Sequence, residues 1–152
     1  RWLSQAKRIV ILCIGSEIRT DDAFGPVLAR RLQGTVPDYV TVIDAGTVPE
    51  NYTGTMRRIN PTHVLMVDVA DMGLMPGELH FLEARNVEGF TVSSHAPSLR
   101  VIAKYLTTTT GAKVALLAVQ PKSLEFGEAL TDELRSAIES AATMLIHLLK
   151  NR

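Results

Sequence analysis

The chain has 152 residues, which is one ordinary domain and leaves little room for a second. Hydrophobic residues make up 46% and charged residues 21%, which excludes a disordered or fibrous chain. Lys plus Arg and Asp plus Glu each number 16, so the net charge is zero and no electrostatic footprint for nucleic acid is present.

Residues 8–14 form a β-branched, apolar run that ends at Gly15 and predicts a strand buried on both faces. Its Cys13 is the single cysteine of the chain, which excludes a disulfide framework and fits a reducing cytoplasm. A helix is expected over 24–32, with Val27, Leu28 and Leu32 inward, Arg30 and Arg31 outward and Gly34 as its stop. Residues 40–44 read as a second strand, 52–59 as a short helix closed by Asn60-Pro61, and 63–69 as a third strand. A turn over 72–77 leads to a short edge strand at 78–82. Residues 97–106 carry Leu99, Ile102, Ala103 and Leu106 on one helical face, and the threonines 107–110 read as the helix end and a loop. Residues 113–119 are a further buried strand, stopped by Gln120-Pro121. The last helix spans 132–149 with Thr131 as its cap. The longest apolar stretches, 9–14 and 141–149, fall short of the roughly 20 residues of a membrane span, so no membrane insertion is expected. No signal peptide is expected either, and the absent initiator Met reads as a trimmed chain.

Strands alternating with helices predict a single three-layer α/β/α domain over 1–152, with a mostly parallel twisted sheet of about five strands. The runs 8–14, 40–44, 63–69 and 113–119 are expected at its centre. In such sheets ligands bind outside the carboxyl ends of the strands. After the first strand come Asp21 and Asp22, the second ends in Asp44, the third ends in Asp68 with Asp71 close behind, and Ser93-Ser94-His95 precedes a helix. Arg19 is the one cation near these stretches. Carboxylates gathered in a cleft repel unless a cation neutralises them. Two carboxylates and an imidazole suit a borderline ion such as zinc or nickel, and three ligands leave positions open for substrate or water.

Each residue also has a plainer reading. Asp21 or Asp22 could complement a helix N-terminus, Asp44 and Asp68 could be solvated strand ends, and His95 could bond backbone. His63, His80 and His147 fall in strand or helix patterns and read as structural, Cys13 as an inert buried thiol, and Met66, Met72 and Met75 as packing. The first loop lacks the GxGxxG spacing and its aspartates would repel phosphate, which disfavours a flavodoxin-like nucleotide-binding module. A seryl hydrolase would need a G-x-S-x-G, which is absent.

The stretch 12–26, LCIGSEIRTDDAFGP, resembles the opening signature of the NiFe-hydrogenase maturation endopeptidases. IDAGTVPE (43–50), VDVADMGLMPGE (67–78), SHAPSL (94–99) and Gln120-Pro121 resemble the family's later blocks in the same order, and the third of these is closest to the HycI branch. Carried over by motif, the resemblance implies a catalytic and metal-coordinating triad of Asp22, Asp68 and His95, with Asp44 beside the cleft as a substrate-binding residue. It implies an aspartic-type, metal-assisted endopeptidase that makes one cut near the C-terminus of a NiFe-hydrogenase large-subunit precursor after nickel insertion. The nickel is carried by the precursor's cysteines and recognised through the triad; zinc or cadmium would fit the same ligands. A free carboxylate of the triad, Asp44 or a metal-bound hydroxide could each serve as base. A cytoplasmic monomer is expected. The alternative is a non-catalytic nickel-checking or escort protein using the same ligands. Two departures stand out: Ser16 replaces the family's usual Asn, and Ala23-Phe24 replaces Gly-Ala, which is expected to set an aromatic ring beside the site.

Overall fold

The computed structural model describes residues 2–83 and 95–151. Strand β1 (Ile9–Ile14) has no polar side chain and is buried throughout, so it needs neighbours on both edges and cover on both faces. It receives them. Strands β2 (Val40–Gly46) and β3 (His63–Val69) pair with it in parallel, β5 (Lys113–Val119) pairs in parallel with β3, and β4 (Leu79–Glu83) closes the far edge antiparallel to β5. The sheet order is β2-β1-β3-β5-β4.

Alternation along each strand divides the core into two layers. Ile9, Ile11 and Cys13 of β1, with Leu65, Val67, Leu117 and Val119, pack on helices α1 (Phe24–Leu32) and α4 (Asp132–Lys150). Val10, Leu12 and Ile14, with Val64, Met66, Leu116 and Ala118, pack on α2 (Thr53–Ile59) and α3 (Ala96–Thr110). This is the three-layer α/β architecture expected from the alternating pattern. Among the described residues no helix is long and apolar enough to cross a membrane.

Four local readings are corrected. Strand β2 is an edge strand, not a central one; Thr41 and Asp44 are exposed, which a single-sided partner permits. Helix α3 runs on through the threonines to Thr110, because Thr109 and Thr110 donate their hydroxyls to the carbonyls of Tyr105 and Leu106 one turn back, and Gly111 ends it in the left-handed conformation. Thr131 sits at the start of α4 without a side-chain cap; its hydroxyl goes to Asp21 instead. Of the three methionines, Met66 is buried and Met72 packs at the core margin, but Met75 is exposed.

The start of α1 lies directly against the end of β1. A Cβ at Gly25 would stand 2.3 Å from the Ile14 carbonyl oxygen and 2.7 Å from its nitrogen, so the contact is backbone to backbone. Gly25→Ala is therefore expected to destabilise the fold by about 3 kcal/mol, as overpacking does where neither partner can yield. A thermal melt of the variant within a degree of the parent would refute this close packing.

Candidate functional site

The crevice at the carboxyl ends of β1 and β3 is where the chain turns to β2 on one side and to β5 on the other, the position at which open α/β sheets hold ligands. Three side chains meet there. Asp22 comes from a 3-10 turn, Thr20–Ala23, just before α1; Asp68 is the penultimate residue of β3; His95 precedes α3. Each offers one ligand atom, and these atoms lie within 4.8 Å of one another. Ser93 and Ser94, read with His95 as one block, lie outside the described residues.

Gly15 makes the first loop possible. A Cβ there would stand 1.9 Å from the Asp22 carbonyl oxygen, so only glycine lets the 3-10 turn fold back over the end of β1. The Ser16 N–H then donates to Asp22 Oδ2 at 2.9 Å, a backbone bond that does not use the side chain by which Ser16 departs from the family pattern. Asp22 Oδ1 is buried and takes no hydrogen bond among the described residues. Asp68 is fully buried; its Oδ1 accepts from the Val69 N–H at 2.9 Å, and its Oδ2 lies 2.8 Å from His95 Nδ1.

Burial pushes the Asp22 carboxyl above its ordinary range, against the Ser16 N–H, and the charge of Asp68 adds to the rise while His95 and Arg19 oppose it. The bond to Asp68 raises His95 against the cost of burial, with the charges of Asp68, Asp22 and Glu50 acting in the same sense. All these directions describe a place short of positive charge. Two oxygens and one imidazole nitrogen, with one buried oxygen uncommitted, fit a divalent cation.

The other named residues fall elsewhere. Asp21 is buried and accepts from the Lys122, Ser123 and Thr131 N–H groups at 2.8, 3.0 and 2.9 Å and from the Thr131 hydroxyl, so it ties the first loop to the stretch after β5. Asp44 is exposed at the end of β2, bonded to the Gly46 N–H at 3.2 Å, and is not among the three. Asp71 accepts from Gln120 Nε2 at 3.2 Å. Phe24 is fully buried in the core with Leu28 and Leu32, not beside the site, because the start of α1 turns it beneath the sheet. Cys13 is buried, and burial with the nearby Asp44 charge drives its thiol far above the reactive range. His63 is buried edge-to-face on Trp2, while His80 and His147 are exposed. Two contributors escaped the sequence reading as individuals: Glu50, whose charge reaches His95, and Gln120, whose Oε1 accepts from the Met72 and Leu74 N–H groups at 2.6 and 3.3 Å and holds the loop after β3. Both stand inside quoted motifs, the one signal that marks them. An apolar groove of about 840 Å³, lined by Trp2, Phe81, Met144 and Leu148 among others, includes none of the three.

A family model described as HycI, hydrogenase maturation protease, matches residues 26–148. The hydrogenase 3 maturation protease of Escherichia coli strain K12 is 33% identical over 86% of this chain and 84% of its own length. Among solved structures, the NiFe hydrogenase maturation protease HycI from Thermococcus kodakarensis superposes with a TM-score of 0.89 at 33% identity, covering 98% of this chain and 96% of its own. The hydrogenase maturating endopeptidase HybD from E. coli gives 0.80 at 30% identity, covering 94% and 92%.

Adjacent aspartates should respond in opposite ways to loss of charge. Asp21→Asn removes a carboxylate matched to four donors and is expected to cost about 3 kcal/mol. Asp22→Asn relieves a buried carboxylate with an uncommitted oxygen and is expected to leave the metal-free protein as stable or slightly more so. Chemical denaturation of the two variants checks this, and equal losses would refute the division of labour.

Proposed function

The chain belongs to the HycI family of hydrogenase maturation proteases, and we propose that it is the endopeptidase that removes the C-terminal extension of a NiFe-hydrogenase large-subunit precursor once nickel is in place. The convergence of Asp22, Asp68 and His95 carries this reading, with the buried, uncommitted Asp22 Oδ1 as its sharpest feature. Nickel here belongs to the substrate. Such an ion supplies Lewis-acid polarisation of a carbonyl and a lowered pKa for nearby water. The protein's own groups do the rest. The Ser16 N–H holds Asp22 through Oδ2 and leaves Oδ1 without a partner among the described residues, and the Val69 N–H fixes Asp68 so that its other oxygen orients the His95 ring. Asp44, exposed at the end of β2, is left to meet the substrate chain.

Three ligands on separate loops do not close a coordination sphere, and the single thiol is buried in β1. The isolated protein should therefore hold divalent metal substoichiometrically after mild dialysis, measured by plasma mass spectrometry; a full equivalent retained would count against a substrate-borne ion. Mass spectrometry of the precursor before and after incubation tests the reaction itself. The nickel-loaded precursor is expected to lose its C-terminal extension, and the nickel-free one to resist. An uncut nickel-loaded precursor would favour the escort reading, and efficient cutting of the nickel-free form by metal-stripped protein would overturn nickel-dependent recognition.

Asp68→Asn keeps the shape but loses a charge and a histidine anchor. It is expected to lower the cleavage rate by about a hundredfold or more while the circular dichroism spectrum is unchanged. A variant cutting at the parent rate would remove Asp68 from the machinery.

A further inference from the structure

Four of the large apolar side chains that stand exposed lie on four different loops at one edge of the sheet: Ile18 after β1 (56% exposed), Val48 after β2 (44%), Met75 after β3 (71%) and Phe126 after β5 (83%). Because those strands are parallel, all four loops leave the sheet at the edge that carries Asp22, Asp68 and His95. Single exposed hydrophobics scattered over a surface need no explanation; a set on four loops around one buried polar cluster does. The ring is also held in place. Thr20 N–H donates to the Gly127 carbonyl at 2.9 Å and Gly127 N–H to Ile18 at 3.0 Å, which zips the Ile18 loop to the Phe126 loop, while Gln120 holds Leu74 beside Met75. Arg19 connects ring and cluster: its guanidinium lies 5.7 Å from the centre of the Phe126 ring, and its charge bears on Asp22.

The zero net charge conceals a separation along the sheet. Glu50, Asp71, Glu78, Glu125 and Glu128 are exposed on the loops of the same edge and outnumber the cations there, Arg19 and Lys122, the second of which is paired with Glu133. Lys7, Arg8 and Lys113 stand where strands begin, and Arg57, Arg58 and Lys150 where helices end, which is the opposite edge in a parallel α/β sheet. A surface of this kind attracts a partner that is basic and partly apolar.

We propose that Ile18, Val48, Met75 and Phe126 are the apolar contacts by which the carboxyl edge docks the precursor polypeptide, and that the acidic loops around them draw a basic surface of that partner. This rests on the endopeptidase reading and adds to it the surface by which the substrate is chosen.

The test uses the full chain and the nickel-loaded large-subunit precursor, with binding read by interferometry and cleavage by initial rates. An Ile18→Ser/Phe126→Ser double variant is expected to raise Kd and KM about tenfold with kcat within about twofold. A Glu125→Lys/Glu128→Lys double variant is expected to weaken binding and to flatten its loss between about 50 and 300 mM salt. Val101→Ser, on a residue of α3 that is 69% exposed, is the control and should change nothing. Melting curves verify that each variant is folded. An apolar double variant that binds and cleaves like the parent would overturn the docking face, and an unchanged salt dependence in the charge variant would overturn selection of a basic partner. Binding with the expected residue dependence but no cleavage by the parent would leave the docking face standing and overturn the peptidase reading; a parent that neither binds nor cleaves would overturn both.

Discussion

Two carboxylates buried at one sheet edge, with ligand oxygens within 4.8 Å, set the terms for everything around them. At an effective dielectric of about 20 that repulsion is on the order of 3 kcal/mol, a large fraction of the stability of a small domain. The protein meets part of it with a histidine at 2.8 Å from Asp68 and with backbone N–H groups from Ser16 and Val69. Among the described residues, one oxygen is left out. Under the proposed function the arrangement is a cost carried in the resting protein so that a cation can be bound, in the way functional sites and stability commonly trade against each other.

Such a cluster is useful only if its members are held apart on rigid supports. Asp68 sits on the fully buried β3, whose neighbours β1 and β5 fix it on both sides. Asp22 has no strand beneath it, and the adjacent Asp21 does that work by binding three N–H groups and a hydroxyl from residues 122–131. Because those donors belong to the stretch that leads into α4, the last helix is tied to the first loop. Gln120 does the same for the loop after β3 with a neutral amide, so two side chains, one charged and one not, hold the mouth of the site from below.

The strands were legible because buried parallel strands write themselves as continuous apolar runs, and β1, β3 and β5 did so. Position within the sheet was less so. Thr41 and Asp44 interrupt the apolar run of β2, and those two exposed polar positions, not its apolar content, mark an edge. The threonines of α3 look like a helix end in sequence, but their low helix propensity is offset by hydroxyls turned back onto carbonyls of the same helix, a bond that propensity does not count. Phe24 was placed beside the site by its neighbours in sequence, although Phe24, Leu28 and Leu32 recur at the spacing of a single buried face. The three clustered residues could be named from motifs, but the pairing of His95 with Asp68 spans 27 residues and that of Asp21 with Thr131 spans 110, and no local pattern encodes either.

The loops of the carboxyl edge bear on how a domain of this size would select a partner. The apolar groove of about 840 Å³ is lined by the N-terminal residues, β4 and the end of α4, and includes none of the three clustered residues. At the carboxyl edge the described residues offer instead an acidic surface with exposed apolar side chains around buried ligands. Apolar contacts at a rim discriminate poorly by themselves, since each contributes little. A buried oxygen that has no partner among the described residues discriminates more strongly, because it rewards a partner that brings a cation or a hydrogen-bond donor to that point. Selection would then divide in two: the rim brings a polypeptide of suitable charge and texture, and the cluster accepts it only when the cation is present.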